Sequence, residues 1–460
     1  MEIGRKDLLW NYAATSMRIV SGLVVMPITL HLFSSEEIGL WGIFTSLVTI
    51  TLLLDFGFSN SFSRNISYVY SGVKELRREG YSVVDTMEID YGLLKNLLLA
   101  IKRYYGIMAL IFILIFFIGG PFYLSKVLVQ YSGEPQPIWV AWFFFGGALA
   151  YELYTYCYNT ILVGRGLVKK SMQIVVISQS VRIIVTVVLL FFDLGIISLV
   201  FGLLSGDIVN RSLAYRAFYD RKTKKLLAKE SATQGWMLIK TLAPNSLKIG
   251  FTSLSTFIRN QATLLVAPIF LSLSQIANYS ISKQLISVIS TLGLAWYYTF
   301  YSKTAQYRVR DDKEGVKRLY IKGIVNLILI FIVGGTLLLL LGIPFFHFIR
   351  SQTALLSNSL LLMMLLFSFL ECVQLMANGT LMAKNEVPFY RADIVSGICS
   401  FLLLLLMFFY TSLGVLSLIL STGLVMCAYM NWKVPISLIK EIGLRWKDCV
   451  FVVFSYFKKR

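Results

Sequence analysis

The sequence predicts an all-α polytopic membrane protein, with about twelve transmembrane helices in two six-helix lobes and both termini in the cytoplasm. Three observations predict it: few charged residues, many long apolar runs, and basic residues gathered on alternate connections. Of the 460 residues, 57% are hydrophobic types and 15% are charged. A soluble domain carries about a quarter charged residues, so lipid is the main solvent of this chain. No stretch has the composition of a soluble domain.

A membrane crossing takes about 20 mostly apolar residues at a rise of 1.5 Å each. Charge-free runs over 19–35, 38–54, 104–125, 135–151, 284–302 and 351–370 approach or meet that length. The run 323–349 holds one helix with its ends, and 394–432 is long enough for two with a turn near 411–414. Only helices or closed barrels satisfy every backbone group in lipid, and the strict alternation of a barrel is missing. The expected helices are 8–33, 38–62, 97–122, 137–163, 171–192, 195–215, 242–271, 275–302, 321–345, 355–383, 390–410 and 413–432.

Charge sets the topology. With the N-terminus inside, 36 of the 43 Lys and Arg fall on cytoplasmic segments and two, Lys126 and Arg350, on outer connections. That asymmetry is a positive-inside signal, and it accounts for the net charge of +19. The cations are spread over seven segments, which argues against a nucleic-acid surface. The first residues lack a convincing cleavage site, and Asn11, Ser16 and Arg18 interrupt their apolar run, so they read as an uncleaved first helix. The domain plan is an N-terminal lobe over 1–220, a basic linker over 221–241, a C-terminal lobe over 242–432 and a basic amphipathic tail over 433–460. Within the tail, the apolar run 449–457 is too short to span and suits either the membrane interface or packing under the bundle.

Several chemistries find no support. The five cysteines lie in or beside apolar stretches without CxxC spacing, and His31 and His347 stand far apart, so neither a metal centre nor any other cofactor is expected. No phosphate loop and no nucleophile–base grouping occurs in the longer connections, so no catalytic residue is assigned.

An internal repeat divides the chain. Glu37-Ile38-Gly39-Leu40-Trp41-Gly42-Ile43 matches Gln275-Ile276-Ala277-Asn278-Tyr279-Ser280-Ile281 at an offset of 238. Upstream, Arg18 and Pro27 match Arg259 and Pro268 at 241. Six helices separate the copies, so both start inside and the repeat axis lies along the membrane normal.

The segments Glu37-Ile38-Gly39-Leu40-Trp41 and Asp55-Phe56-Gly57-Phe58, with Arg64 just after them, resemble the polysaccharide-transporter family of oligosaccharide flippases. That family shares a superfamily with lipid II flippases and multidrug/toxic-compound exporters. The resemblance implies two lobes across a central cavity and alternating access in a bacterial cytoplasmic (inner) membrane. It implies an undecaprenyl-diphosphate-linked oligosaccharide of O-antigen or capsule type as substrate. Membrane lipids, the polysaccharide polymerase and the export machinery are the implied partners.

Ionisable residues within helices are costly and mark pathways or pairs. The repeat-related Arg18 and Arg259 are candidates to engage the diphosphate, whose oxygens suit a planar guanidinium. A structural salt bridge with Asp55, Glu152 or another acid is the competing reading. Lys283 and Arg182 are further candidates, whereas Lys248 reads as a snorkelling cation. Asp55, Glu152, Asp207 and Glu371 could couple transport to an ion gradient or neutralise a nearby cation. Asp393, near an inner helix start, reads as a surface or capping charge. Tyr151, Tyr154 and Tyr158, with Tyr297, could stack on sugars or simply pack. Pro27 and Pro268 could let helices 1 and 7 bend. A small-molecule or multidrug antiporter on the same fold is the alternative function.

Overall fold

Two expected helices, 38–62 and 242–271, are interrupted at residues whose chemistry explains the interruption, and these breaks shape the architecture. The computed structural model describes residues 5–76, 88–231, 235–309, 312–383 and 388–444. The apolar run 449–457 therefore lies outside the described residues.

In chain order the helices are α1 (Arg5–Leu32), α2 (Ser35–Leu54), α3 (Phe58–Tyr70), α4 (Tyr91–Leu114), α5 (Gly120–Leu128), α6 (Pro135–Thr155), α7 (Cys157–Gly164), α8 (Val168–Leu190) and α9 (Ile196–Phe218). There follow α10 (Arg221–Lys229), α11 (Gly235–Phe257), α12 (Thr263–Val266), α13 (Leu273–Val309), α14 (Lys313–Phe348), α15 (Asn358–Met382), α16 (Tyr390–Tyr410), α17 (Val415–Ala428) and α18 (Met430–Ile442). Each of the twelve expected segments overlaps a helix. Among the described residues, seven helices are long and apolar enough to cross a membrane: Tyr91–Leu128, Val168–Leu190, Ile196–Phe218, Lys313–Phe348, Asn358–Met382, Tyr390–Tyr410 and Val415–Ile442.

The chain forms two compact units: residues 1–33 with 47–253, and 34–46 with 254–460. In the first, α8 packs on α1 and α9, α6 on α4 and α9, and α3 on α7. Its core holds Trp142, Tyr105, Phe62 and Phe145, all fully buried. In the second, α13 packs on α14 and α15, α16 on α17, and α18 on α15. Helix α18 runs from the end of the last expected helix into the expected tail, and it buries Met430, Val434, Leu438 and Ile442 along one helical stripe. Residues 221–229, expected as linker, form α10, which packs against α4.

The expected helix 38–62 breaks between α2 and α3, where Phe56 (φ 45°) and Gly57 (φ 71°) take the left-handed conformation. Asp55 bridges the break. Its carboxylate accepts from the Ser59 amide at 3.1 Å and from the Ser59 hydroxyl at 2.7 Å. The Tyr105 hydroxyl donates to it at 2.5 Å. The Tyr104 hydroxyl lies 3.0 Å from the Leu54 carbonyl and 3.2 Å from that of Asp55, so it adds a side-chain donor at the break, where the Asp55 carbonyl also accepts from the Phe58 amide at 2.9 Å.

The two prolines behave differently. Helix α1 runs through Pro27 without interruption. Around Pro268 the chain passes from α11 through a π turn, Ile258–Ala262, and α12 into a 3-10 turn, Ala267–Ile269. Proline tolerates the first positions of such a turn because it has no amide to pair there.

Candidate functional site

The π turn Ile258–Ala262 places Arg259 in the interior of the second unit, where it is 4% exposed. One extra residue per turn re-aims the side chains around it, and such turns recur at functional sites. The Arg259 carbonyl accepts from the hydroxyls of Thr263 and Thr422, each at 3.3 Å. Its guanidinium Nη1 donates to Asp393 Oδ1 at 3.0 Å, and Nη2 lies 3.9 Å from Glu371 Oε1. The Ser255 hydroxyl donates to the Asp393 carbonyl, tying α11 to α16. Asp393 is thus an internal partner of Arg259, which corrects its reading as a surface or capping charge. The sequence misleads here because Asp393 sits in the first turn of α16, a usual place for a capping acid, and its partner is 134 positions away.

Lys283, on α13, donates Nζ to the Asn260 carbonyl at 2.6 Å and lies over the Tyr279 ring at 5.8 Å. Arg259, Lys283 and Glu371 line a cavity of about 90 Å³ with Tyr279, Ser368, Thr422 and Asn431. Met364, Phe367, Leu418 and Met426 form its apolar wall. Arg259 Nε and Asn431 Oδ1 are buried without a hydrogen-bond partner. The two cations and the carboxylates of Glu371 and Asp393 balance, as a low-dielectric interior requires. The contact between Arg259 and Glu371 exceeds hydrogen-bond length, so each can take another partner while Asp393 keeps hold of Arg259.

A second charged cluster lies within the first unit. Arg211, 5% exposed, has Nη2 at 3.9 Å from Glu152 Oε1 and its guanidinium over the Tyr156 ring at 5.6 Å. Asp207 has Glu152, Arg211 and Arg182 as electrostatic neighbours, and its Oδ2 is buried without a hydrogen-bond partner. Beside it, Asn159 donates to Asn210, which donates to Ser178, at 3.0 and 3.1 Å. Sequence reasoning missed Arg211, which it counted among the cytoplasmic cations.

Of the other sequence candidates, Asp55 stands in the helix break, held by hydroxyls. The side chains of Arg18 and Lys248 lie outside the described residues. Tyr158 packs edge-on against Tyr215 at 5.5 Å, and Tyr154 is exposed. Tyr151 is half-buried. Tyr297 is buried, its ring against those of the exposed Tyr298 and Tyr301, and it is not among the cavity's lining residues. Among the described residues, no group of three or more His, Cys, Asp or Glu side chains could hold a metal ion.

No family model and no curated protein sequence matches the chain. Solved structures do. An inward-facing multidrug resistance MATE family transporter of the MOP superfamily matches with a TM-score of 0.66 and 15% identity, over 96% of each chain. An outward-facing conformation of a MATE family transporter of that superfamily matches at 0.55 and 13%, over 95% of each. A MOP superfamily transporter from Pyrococcus furiosus Vc1 (DSM3638), described as having a binding pocket of reverse polarity, matches at 0.57 and 13%, over 95% of each. At these identities the likeness is one of fold: the chain has the all-helical fold of MATE transporters of the MOP superfamily.

Proposed function

We propose that the chain is an alternating-access exporter that turns an undecaprenyl-diphosphate-linked oligosaccharide from the inner to the outer leaflet. The observation that carries the transporter reading is the fold match over nearly the whole chain to transporters solved facing inward and outward. Two features support the lipid-linked cargo. One is the family resemblance of the segments around Glu37–Trp41 and Asp55–Phe58. The other is Lys283, a cavity cation whose ammonium group donates to a backbone carbonyl, that of Asn260. In this reading Lys283 and Arg259 meet the diphosphate, and Glu371 gives up its contact with Arg259 as cargo arrives. The same exchange of partners couples transport to an ion gradient through Glu371.

A second reading is a small-molecule or multidrug antiporter. The solved structures alike in fold favour it over the flippase, and so do the two carboxylates that already stand on Arg259. The test is reconstitution of the full chain in proteoliposomes, with and without a proton or sodium gradient. Gradient-stimulated translocation of a radiolabelled lipid-linked oligosaccharide supports the first reading. Transport of a cationic dye alone overturns it in favour of the second.

A further inference from the structure

Helix α10 reads RKTKKLLAK, nine residues with five cations and no acid. Thr223 and Leu227, one turn apart, are buried, while Arg221, Lys222, Lys224, Lys225 and Lys229 are exposed. The helix is amphipathic, with an inward stripe against α4 and an outward basic face.

Both ends of this helix are fastened to apolar, span-length helices. At its start, Asp220 accepts from the Thr223 amide at 2.7 Å and from Arg165 Nη2 at 3.0 Å. Arg165 Nη1 also donates to the Phe218 carbonyl, in the last turn of α9, at 2.9 Å. At its end, the Glu230 carbonyl accepts from Lys95 Nζ at 2.5 Å. Lys95 lies four residues into α4, or about 6 Å along it. The basic face is therefore held within about one helical turn of the level where α4 and α9 begin and end. Tyr215 and Tyr219, at the end of α9 beside the start of α10, are residues that gather at a membrane interface. Among the described residues, no carboxylate lies within salt-bridge distance of Arg221, Lys222, Lys225 or Lys229.

We propose that the exposed face of α10 is a docking surface for anionic phospholipid headgroups, with Lys222, Lys225 and Lys229 meeting their phosphates. The inference is independent of the cargo, since these residues belong to the first unit and the cavity to the second. Ammonium groups on a fixed helix gain attraction to an anionic leaflet without ordering a flexible segment.

The test measures lipid binding to the full-length chain in neutral detergent by native mass spectrometry, adding phosphatidylglycerol, phosphatidylcholine or glycerol phosphate. The wild type is expected to bind phosphatidylglycerol at least about tenfold more tightly than the other two, with the preference shrinking as salt rises. Lys222→Gln/Lys225→Gln/Lys229→Gln is expected to lose most of the preference at an unchanged melting temperature, and the corresponding triple Arg variant to keep it. Should the triple Gln chain melt lower, the three single Gln variants are each expected to lose about a twofold share. Equal binding of both lipids, equal competition by glycerol phosphate, or a preference that survives all Gln variants overturns the proposal. The last result would leave the face to an acidic protein partner.

Discussion

Gly42 packs directly against Ser280, so closely that a Cβ on Gly42 would stand 2.5 Å from the Ser280 hydroxyl oxygen. The two positions are 238 apart, the offset that aligns the two copies of the internal repeat. One turn earlier, a Cβ on Gly39 would run into the backbone carbonyl of Leu273. Only small residues permit this approach. Gly42→Leu is expected to lower unfolding stability in detergent by about 1–3 kcal/mol through overpacking. Exchanging the pair, Gly42→Ser with Ser280→Gly, conserves volume and is expected to restore most of the Gly42→Ser loss. Thermal melts of the three proteins check both outcomes.

Removing Arg259 strands two carboxylates. Arg259→Gln is expected to destabilise the second unit by about 3–5 kcal/mol, the usual cost of breaking a buried ion pair from one side. Asp393→Asn in the same chain is expected to return part of that loss, because one uncompensated acid is then gone. Glu371→Gln is expected to cost less, since its contact with Arg259 is 3.9 Å against 3.0 Å for Asp393. A double-mutant cycle on unfolding free energy, with transport measured alongside, separates the structural pair Arg259–Asp393 from the exchangeable partner Glu371.

Hydropathy and charge placed the helices but not their breaks, because both measures average over a window. Asp55-Phe56-Gly57 reads equally well as the end of one helix or a break within it. The decisive donors, Tyr104 and Tyr105, lie 49 and 50 positions downstream. Arg211 was lost for a simpler reason. The sixth helix was expected to end at 215 but runs to Phe218, which puts Arg211 about two turns inside. Its spacing of four from Asp207 was the available signal. Arg259 and Lys283 were legible as costly intramembrane cations, whereas their partners on α15, α16 and the Asn260 backbone are long-range and leave no local pattern.

The helix break at Asp55 depends on hydrogen bonds to its carboxylate. Asp55→Ala leaves the Tyr105 hydroxyl and the donors of Ser59 without their acceptor, and is expected to cost about 1–3 kcal/mol. Tyr105→Phe removes one donor and is expected to cost less. If both act through the same hydrogen bond, the double variant is less destabilised than the sum, by about 0.5–2 kcal/mol. Additive losses in chemical unfolding would place Tyr105 outside the support of the break.

Asp220 caps α10, and its carboxyl is pulled down to about 2, first by the Thr223 amide, then by the Thr223 hydroxyl and Arg165. A depressed folded-state pKa adds stability that is fully present above the ordinary carboxylate range and is lost as pH falls through about 2. Between pH 5 and 8 the cap is therefore expected to be constant. Asp220→Ala is expected to remove it at every pH in that window, at about 1 kcal/mol of local helix stability. Trypsin offers a direct readout, because the Lys and Arg of α10 are cleaved only when the helix opens. Cleavage within 221–229 is expected to speed up about fivefold in Asp220→Ala, with the ratio to wild type unchanged from pH 5 to 8. A ratio that varied with pH in that range would mean that another titrating group, rather than the Asp220 carboxylate, holds the helix start.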